Sequence, residues 1–306
     1  KRVDEHVTKE NTEFIKNVIQ DTYGPMDKHG KEILTEKYLT PLKGDFLKKT
    51  EYTATSIRVG LIARKIGIYP MWTKTGKRYA ATLLQILDNQ VVKQYEPNEY
   101  KPLQKQVKLV KNPKHCLLVG AEGTDPTRLT KEYCGLFKEA GVMPKASLFR
   151  FFVTPDCVLP VGTCLNVMHF QVGDYIDVRA KTIDRGFQGV MKRWKFKGMP
   201  ATHGTTKTHR RPGNIGGGGE KGRVWPGKKL PGHMGNRYRI QKGLKILRIS
   251  PKYNVMWVKG QAIPGETNSI CVLYDSIMYH RRRNAKLQCP TFIQDENTKI
   301  DLENDI

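Results

Sequence analysis

The stretch from Arg179 to Arg239 constrains this chain more than any other feature. It holds sixteen Lys and Arg against only Asp184 and Glu220, a net of +14, together with thirteen glycines. From Pro200 to Gly235 aliphatic side chains are almost absent. Such a segment cannot bury enough apolar area to offset the entropy of ordering its backbone. It is expected to take its shape from a partner, and to be protease-sensitive when free. Its cations make nucleic acid the expected partner.

The remainder has the material for a core. Of 306 residues, 38% are hydrophobic, so a wholly disordered chain is excluded. The net charge of +24 is unevenly spread. Residues 1–50 carry ten Lys and Arg against nine Asp and Glu, whereas Thr291–Ile306 carries one Lys and five acids. No apolar run approaches the roughly eighteen residues that span a bilayer.

Short stretches rich in β-branched and aromatic residues, bounded by Gly, Pro, Asn or Asp, predict strands. They are Ser56–Ile68, Ala80–Leu87, Val91–Tyr95, Val107–Lys111, Cys116–Ala121, Ser147–Thr154, Tyr175–Ala180, Tyr238–Ser250, Val255–Lys259 and Ser269–Leu273. Their number and spacing favour a closed or nearly closed barrel. Two helices are expected. Thr12–Tyr23 aligns Phe14, Ile15, Val18 and Ile19; Leu129–Ala140 aligns Leu129, Tyr133, Leu136, Phe137 and Ala140, with Gly141 as its stop.

Sites of catalysis or cofactor binding find little support. Gly217-Gly218-Gly219-Glu220-Lys221-Gly222 spells a dinucleotide-loop pattern, but no apolar strand precedes it and Pro226 interrupts the helix such a loop must open. Gly222–Lys229 misses a phosphate loop because Lys229 stands where a hydroxyl must hold magnesium. His203, His209 and His233 lack a Cys or well-placed acid, so no metal is expected. Asp174 reads as a turn residue after Gly173, and Asp177 and Asp184 as partners of Arg179 and Arg185. Cys116, Cys134, Cys157, Cys164, Cys271 and Cys289 form no C-x-x-C pair and read as buried free thiols in a reducing compartment. No catalytic set and no cofactor are expected.

What persists is a texture of cations interleaved with aromatics and glycines, which suits phosphate contact, stacking on splayed bases and close backbone approach. The expected RNA-binding residues are Arg185, Lys192, Arg193, Trp194, Lys195, Lys197, His203, His209, Arg210, Arg211, Lys221, Arg223, Trp225, Lys228, Lys229 and Arg237. Lys and Arg would neutralise charge; Trp and His would stack or donate.

Five passages carry a resemblance. They are Gly60–Gly67, Gly186–Phe196, Ala201–Gly204 with His209–Gly216, Gly227–Gly235, and Val258–Gly265. Over roughly residues 57–275 the chain resembles the universal large-subunit ribosomal protein number three family. The long N-terminal extension, lengthened C-terminus and bacterial-like core look most like its vertebrate mitochondrial member. The resemblance implies a mainly β fold with an α+β insertion: a translation-protein-type closed β-barrel with a long basic Gly-rich extension. Its implied parts are an N-terminal extension (1–55), partly helical, a barrel body (56–184 and 238–280) holding a small insertion (96–145), an RNA-penetrating extension (185–237) and a C-terminal tail (281–306).

The resemblance further implies a structural constituent of the mitochondrial large ribosomal subunit, in the matrix, that is not an enzyme. The arm would reach through ribosomal RNA toward the peptidyl transferase centre, and the protein would support subunit assembly. The implied partners are large-subunit ribosomal RNA and the large-subunit proteins numbered fourteen and nineteen. Asp184 stands where the family usually has glycine, and Gly219 stands nearest a glutamine that bacterial members methylate. Two other readings compete: an RNA-modifying or RNA-cleaving enzyme whose basic loop docks substrate, and a DNA-packaging protein.

Overall fold

A computed structural model describes residues 50–53, 55–99, 115–216, 222–282 and 287–294, together with Glu10, Glu13, Phe14, Asn17, Leu42 and Lys43. In chain order the strands are β1 (Leu42–Lys43), β2 (Leu61–Trp72), β3 (Arg78–Ile86), β4 (Asn89–Tyr95), β5 (His115–Gly123), β6 (Lys145–Val153) and β7 (Cys164–Leu165). They continue with β8 (Tyr175–Lys181), β9 (Phe187–Gln188), β10 (Gly232–His233), β11 (Tyr238–Ser250), β12 (Val255–Lys259), β13 (Ile270–Asp275) and β14 (Ile293–Gln294). Helix α1 (Lys131–Lys138) lies between β5 and β6, and the short α2 (Val190–Trp194) follows β9. The expected strand Val107–Lys111 and most of the expected helix Thr12–Tyr23 lie outside the described residues; Glu13, Phe14 and Asn17 are helical.

The chain is mainly β. Strands β11, β12, β3, β2, β13 and β8 pair in that order and close on themselves, every contact antiparallel. Alternation along them explains the closure. Leu84 and Ile86, Met256 and Val258, and Ile176 and Val178 point inward and are buried, while their neighbours face out. A second sheet, ordered β6-β5-β4-β7, leans on this core. β5 is buried on both faces. Leu117, Val119 and Ala121 join the barrel core, while Leu118 meets Phe137 of α1 on the far side. That two-sided burial accounts for its near-continuous apolar run.

Helix α1 begins where Thr130 Oγ1 accepts from the Tyr133 N–H at 3.4 Å. It ends at Lys138, and the turn that follows closes at Gly141, whose N–H donates to Lys138 O at 3.3 Å and whose φ of 61° suits glycine. Of the expected stripe, Phe137 is buried and Tyr133 packs beside it, whereas Leu136 is exposed.

Buried polar groups fasten the elements. Lys145 on β6 pairs with Asp88 in the turn after β3, and both are buried. Asp177 does not pair with Arg179. Its carboxylate is fully buried and accepts from the Gly243 N–H at 2.7 Å and the Ile277 N–H at 3.2 Å. Two backbone donors satisfy the buried oxygens without a cation. Arg179 instead lies 4.5 Å over the Tyr238 ring.

Cys116, Cys157, Cys271 and Cys289 are buried and free; Cys134 and Cys164 are half-buried. Cys289 Sγ donates to the Asp156 carbonyl at 3.8 Å, and the neighbouring Cys157 thiol draws the Cys289 thiol down to about 7 against its burial.

Asp174 sits in the expected turn, its Oδ2 accepting from the Gln171 N–H at 2.9 Å. Burial pushes its carboxyl up to about 6, against the pull of that bond and of Arg58. The folded chain therefore holds this proton at pH values where the unfolded chain has released it. The linked stability falls as pH rises from about 4 to about 6 and stays reduced above. Asp174→Asn is expected to gain on the parent progressively across that window, by about 3 kcal/mol at pH 7. Urea midpoints at pH 4.5 and 7 check this, and a pH-independent difference would refute it.

Candidate nucleic-acid interface

The basic stretch is an arm that continues two barrel strands. β8 and β11 pair through Lys181 and Tyr238. Beyond the barrel rim the ladder goes on: Thr182 N–H donates to Arg237 O (3.0 Å), Arg185 N–H to Met234 O (2.9 Å) and Met234 N–H to Gly186 O (2.8 Å). β9 then pairs with β10, Gln188 opposite Gly232 and Phe187 opposite His233. The base of the arm thus satisfies its own backbone. This narrows the sequence expectation that a partner shapes the whole segment.

Two residues make that base possible. Gly235 has a φ of 97°, and a Cβ there would fall 1.9 Å from the Ile183 carbonyl oxygen. Only glycine tolerates both. Asp184 does not pair with Arg185. Its Oδ1 accepts from the Gly186 N–H at 2.9 Å and stands 3.1 Å from His233 Nε2, so it ties the outgoing limb to the returning one.

Beyond β9, α2 is a helix of one turn and a half that ends at Lys195 in the left-handed region, φ 59°. Val190 is its buried anchor. Arg193 and Trp194 at its end reach across the arm: Arg193 Nη1 and Trp194 Nε1 donate to the Leu230 carbonyl at 2.7 and 2.8 Å. Arg193 (5.1 Å) and Lys229 (5.8 Å) also lie near the Trp194 ring centroid. Farther out, Met199 N–H donates to His209 O at 2.7 Å, and His209 Nδ1 donates to Pro200 O at 2.8 Å. These bonds close a loop with little regular secondary structure.

The structure distributes the expected site residues along this arm. Arg185, Lys192, Lys195, Lys197, His203, Arg210, Arg211, Arg223, Trp225, Lys228, Lys229 and Arg237 are exposed, with Arg223 4.8 Å over the Trp225 ring. Arg193 is half-buried, and Arg193, Trp194 and His209 spend donors on the arm's own carbonyls. Their donors organise the arm; the exposed faces are what they can offer a ligand. Lys221, Gly219 and the rest of 217–221 lie outside the described residues. Sequence reasoning passed over Phe187, which is 76% exposed at the base of the arm. Its signal was present, an aromatic set between Gly186 and Gly189 in a stretch dominated by cations.

Chemically the arm can neutralise and stack. Among the described residues no group of three or more His, Cys, Asp or Glu is placed to hold a metal ion. No helix there is long and apolar enough to cross a membrane.

Comparison with known proteins agrees with this architecture. A family model described as ribosomal protein L3 matches residues 161–256, which include β8, the arm and the whole of β11. The chain is 38% identical over 251 residues to the large ribosomal subunit protein uL3m of Arabidopsis thaliana, covering 82% of this chain and 73% of the relative. It is 34% identical over 222 residues to uL3 of Rickettsia prowazekii, covering 72% of this chain and 96% of that one. With uL3 of Magnetococcus marinus it shares 36% identity over 223 residues, 72% of this chain and 97% of the relative.

Proposed function

Because the chain belongs to the ribosomal protein L3 family, we propose that it is a structural constituent of the mitochondrial large ribosomal subunit. It binds ribosomal RNA and neighbouring large-subunit proteins, serves translation and is not an enzyme. The mitochondrial assignment is supported by the likeness to the uL3m relative.

One observation carries the mechanism: the arm's backbone is tied to itself at the base, while most of its cations face outward. A fixed base lowers the entropy lost on binding, and outward cations displace counterions from phosphates. The bet for phosphate contact is on Arg185, Lys192, Lys195, Lys197, Arg210, Arg211, Lys221, Arg223, Lys228, Lys229 and Arg237, with Arg193 held against Trp194. Trp194, Trp225, His203 and His209 present rings for stacking.

In this reading the barrel is of the translation-protein type, comprising 56–184 and 238–280 with 96–145 inserted. Residues 185–237 are the RNA-penetrating extension, reaching toward the peptidyl transferase region. Residues 1–55 are the N-terminal extension and 281–306 the C-terminal tail, and the proteins numbered fourteen and nineteen are the expected neighbours. Sedimentation tests it. The native protein should migrate with the large subunit in moderate salt; a light, RNA-free fraction would overturn the reading.

A further inference from the structure

We propose that Cys157 and Cys289 form a redox-sensitive pair, open to oxidation by a hydroperoxide, whose disulfide fastens the C-terminal segment 287–294 to the barrel body. The pair lies off the basic arm and needs no RNA, so it goes beyond the ribosomal reading and stands apart from it.

The fold brings the two residues together from distant parts of the chain. Cys157 ends the single turn Pro155–Cys157 that follows β6, and Cys289 lies in the last described segment. Thr50 joins the two places. Its N–H donates to Cys289 O at 3.1 Å, and its hydroxyl donates to Asp156 O at 2.9 Å. Cys289 Sγ lies 3.8 Å from that same carbonyl, which belongs to the residue directly before Cys157. The thiols are therefore neighbours, and each acts on the ionisation of the other.

Other cysteines are placed differently. Cys134, Cys164 and Cys271 turn their thiols to the carbonyls of Pro126, Gly162 and Ser269. Burial pushes Cys116 and Cys271 up to about 11, so neither offers a thiolate near neutral pH.

Charge assigns the two roles. The contact with Cys157 draws Cys289 down to about 7, and the Arg58 guanidinium, held on Gln288 O at 2.8 Å, favours the same thiolate. That contact, then burial, pushes Cys157 up. Cys289 is thus the attacking sulfur and Cys157 the resolving one. Both are buried, yet Thr50, Pro155 and Asp156 around them are exposed. So thin a cover admits a small oxidant by local opening.

The chemistry balances with the hydroperoxide alone. The Cys289 thiolate attacks one peroxide oxygen and the O–O bond breaks; for hydrogen peroxide the leaving hydroxide takes up the thiol proton as water. Cys157 sulfur then attacks the resulting sulfenic sulfur. The S–S bond forms as the S–O bond breaks, and the Cys157 proton leaves with the hydroxyl as a second water. The peroxide is reduced, the two thiols are oxidised, and a dithiol reductant reverses the change.

What the bond fastens is part of the core. Leu287, Phe292 and Ile293 are buried, the Thr291 hydroxyl bonds His169, and Gln288 O holds Arg58. A covalent tie at Cys289 restricts the unfolded chain and so favours the closed arrangement.

The full chain is treated with hydrogen peroxide, alkylated and digested without reductant. A disulfide-linked peptide joining Cys157 to Cys289 is expected, with Cys116 and Cys271 recovered as thiols. Cys157→Ala should leave a Cys289 sulfenic acid that dimedone traps, whereas Cys289→Ala should leave Cys157 a thiol. The oxidised parent should unfold at higher urea than the reduced parent, a rise absent from both variants. The parent's own peptides decide the pairing, whatever either variant does to folding. Dimedone adducts on the parent's Cys289 without the linked peptide would overturn the pair. So would oxidation of Cys116 and Cys271 as readily as of these two, or a parent left fully reduced by peroxide that oxidises free cysteine. A linked peptide with no rise in the urea midpoint would overturn the fastening.

Discussion

Replacing Arg58 with methionine is expected to destabilise the fold by about 3–5 kcal/mol, the cost of stripping one partner from a buried ion pair. Arg58 is 3% exposed. Its Nε and Nη2 donate to the two carboxylate oxygens of Asp275 at 2.9 and 2.7 Å, a bidentate fork. Nη1 donates to the carbonyls of His169 (3.1 Å) and Gln288 (2.8 Å). The guanidinium thus joins the segment before β2, the end of β13, the turn before β8 and the C-terminal segment 287–294.

His169 completes the knot. Burial, then Arg58, drives its imidazole down to about 3, so it is neutral at any working pH. Nε2–H donates to Val59 O at 2.9 Å, which leaves Nδ1 to accept from the Thr291 hydroxyl at 2.8 Å. Methionine fills the volume but leaves Asp275 and both carbonyls without the fork. Arg58→Lys keeps the charge and loses the bidentate geometry, so an intermediate loss is expected. Removing both charges, Arg58→Met with Asp275→Leu, should recover much of it, because replacing a whole buried pair is often near neutral. Urea midpoints for the three variants decide, and a single variant no worse than the double would refute the pairing argument.

None of that network was legible in the sequence, because Arg58, His169, Asp275 and Thr291 lie far apart and no pattern ties them. Strands were legible where both ends carry turn chemistry. Tyr238–Ser250, stopped by Pro251, and Val255–Lys259, after Asn254, stand as the spacing indicates. β2 differs at both ends. Ser56–Gly60 alternate like a strand, yet Ile57 bonds Thr154 from outside any ladder while Arg58 turns into its network. Beyond Ile68 the strand runs on through Pro70 to Trp72. Strand β13 pairs only with Leu61–Arg64, so the rest of β2 lacks that neighbour, and a proline without a donor is tolerated there.

The arm was legible because composition alone marks a segment that cannot make a core. Its self-paired base was not, since Gly235 and Asp184 act through φ and a single carboxylate. Asp177 misled for a related reason: spacing along a strand suggests an ion pair, whereas burial directs the carboxylate to backbone donors. The pairing of Cys157 with Cys289 was invisible until the C-terminal segment was known to lie against the turn after β6.

The arm's cations give the largest expected effect on binding. Lys195, Lys197, Arg210, Arg211, Lys228 and Arg237 are exposed and, unlike Arg193, are not bonded to the Leu230 carbonyl that holds the arm together. Changing all six to Gln removes charge and leaves the base ladder in place. If each meets a phosphate, the salt slope should become shallower by about five, and affinity in 50 mM salt should fall by roughly three powers of ten or more. The contrasting variant is Arg193→Gln with Trp194→Phe. It breaks the two donations to Leu230 while removing one charge, so the slope should change by about one at most. Affinity should still fall, because an arm no longer tied across at Leu230 must be ordered on binding. The pair of variants separates neutralisation from preorganisation by the shape of the salt dependence. An unchanged slope in the six-residue variant would mean that these groups face water in the assembled subunit, and neutralisation by the arm would be the wrong mechanism.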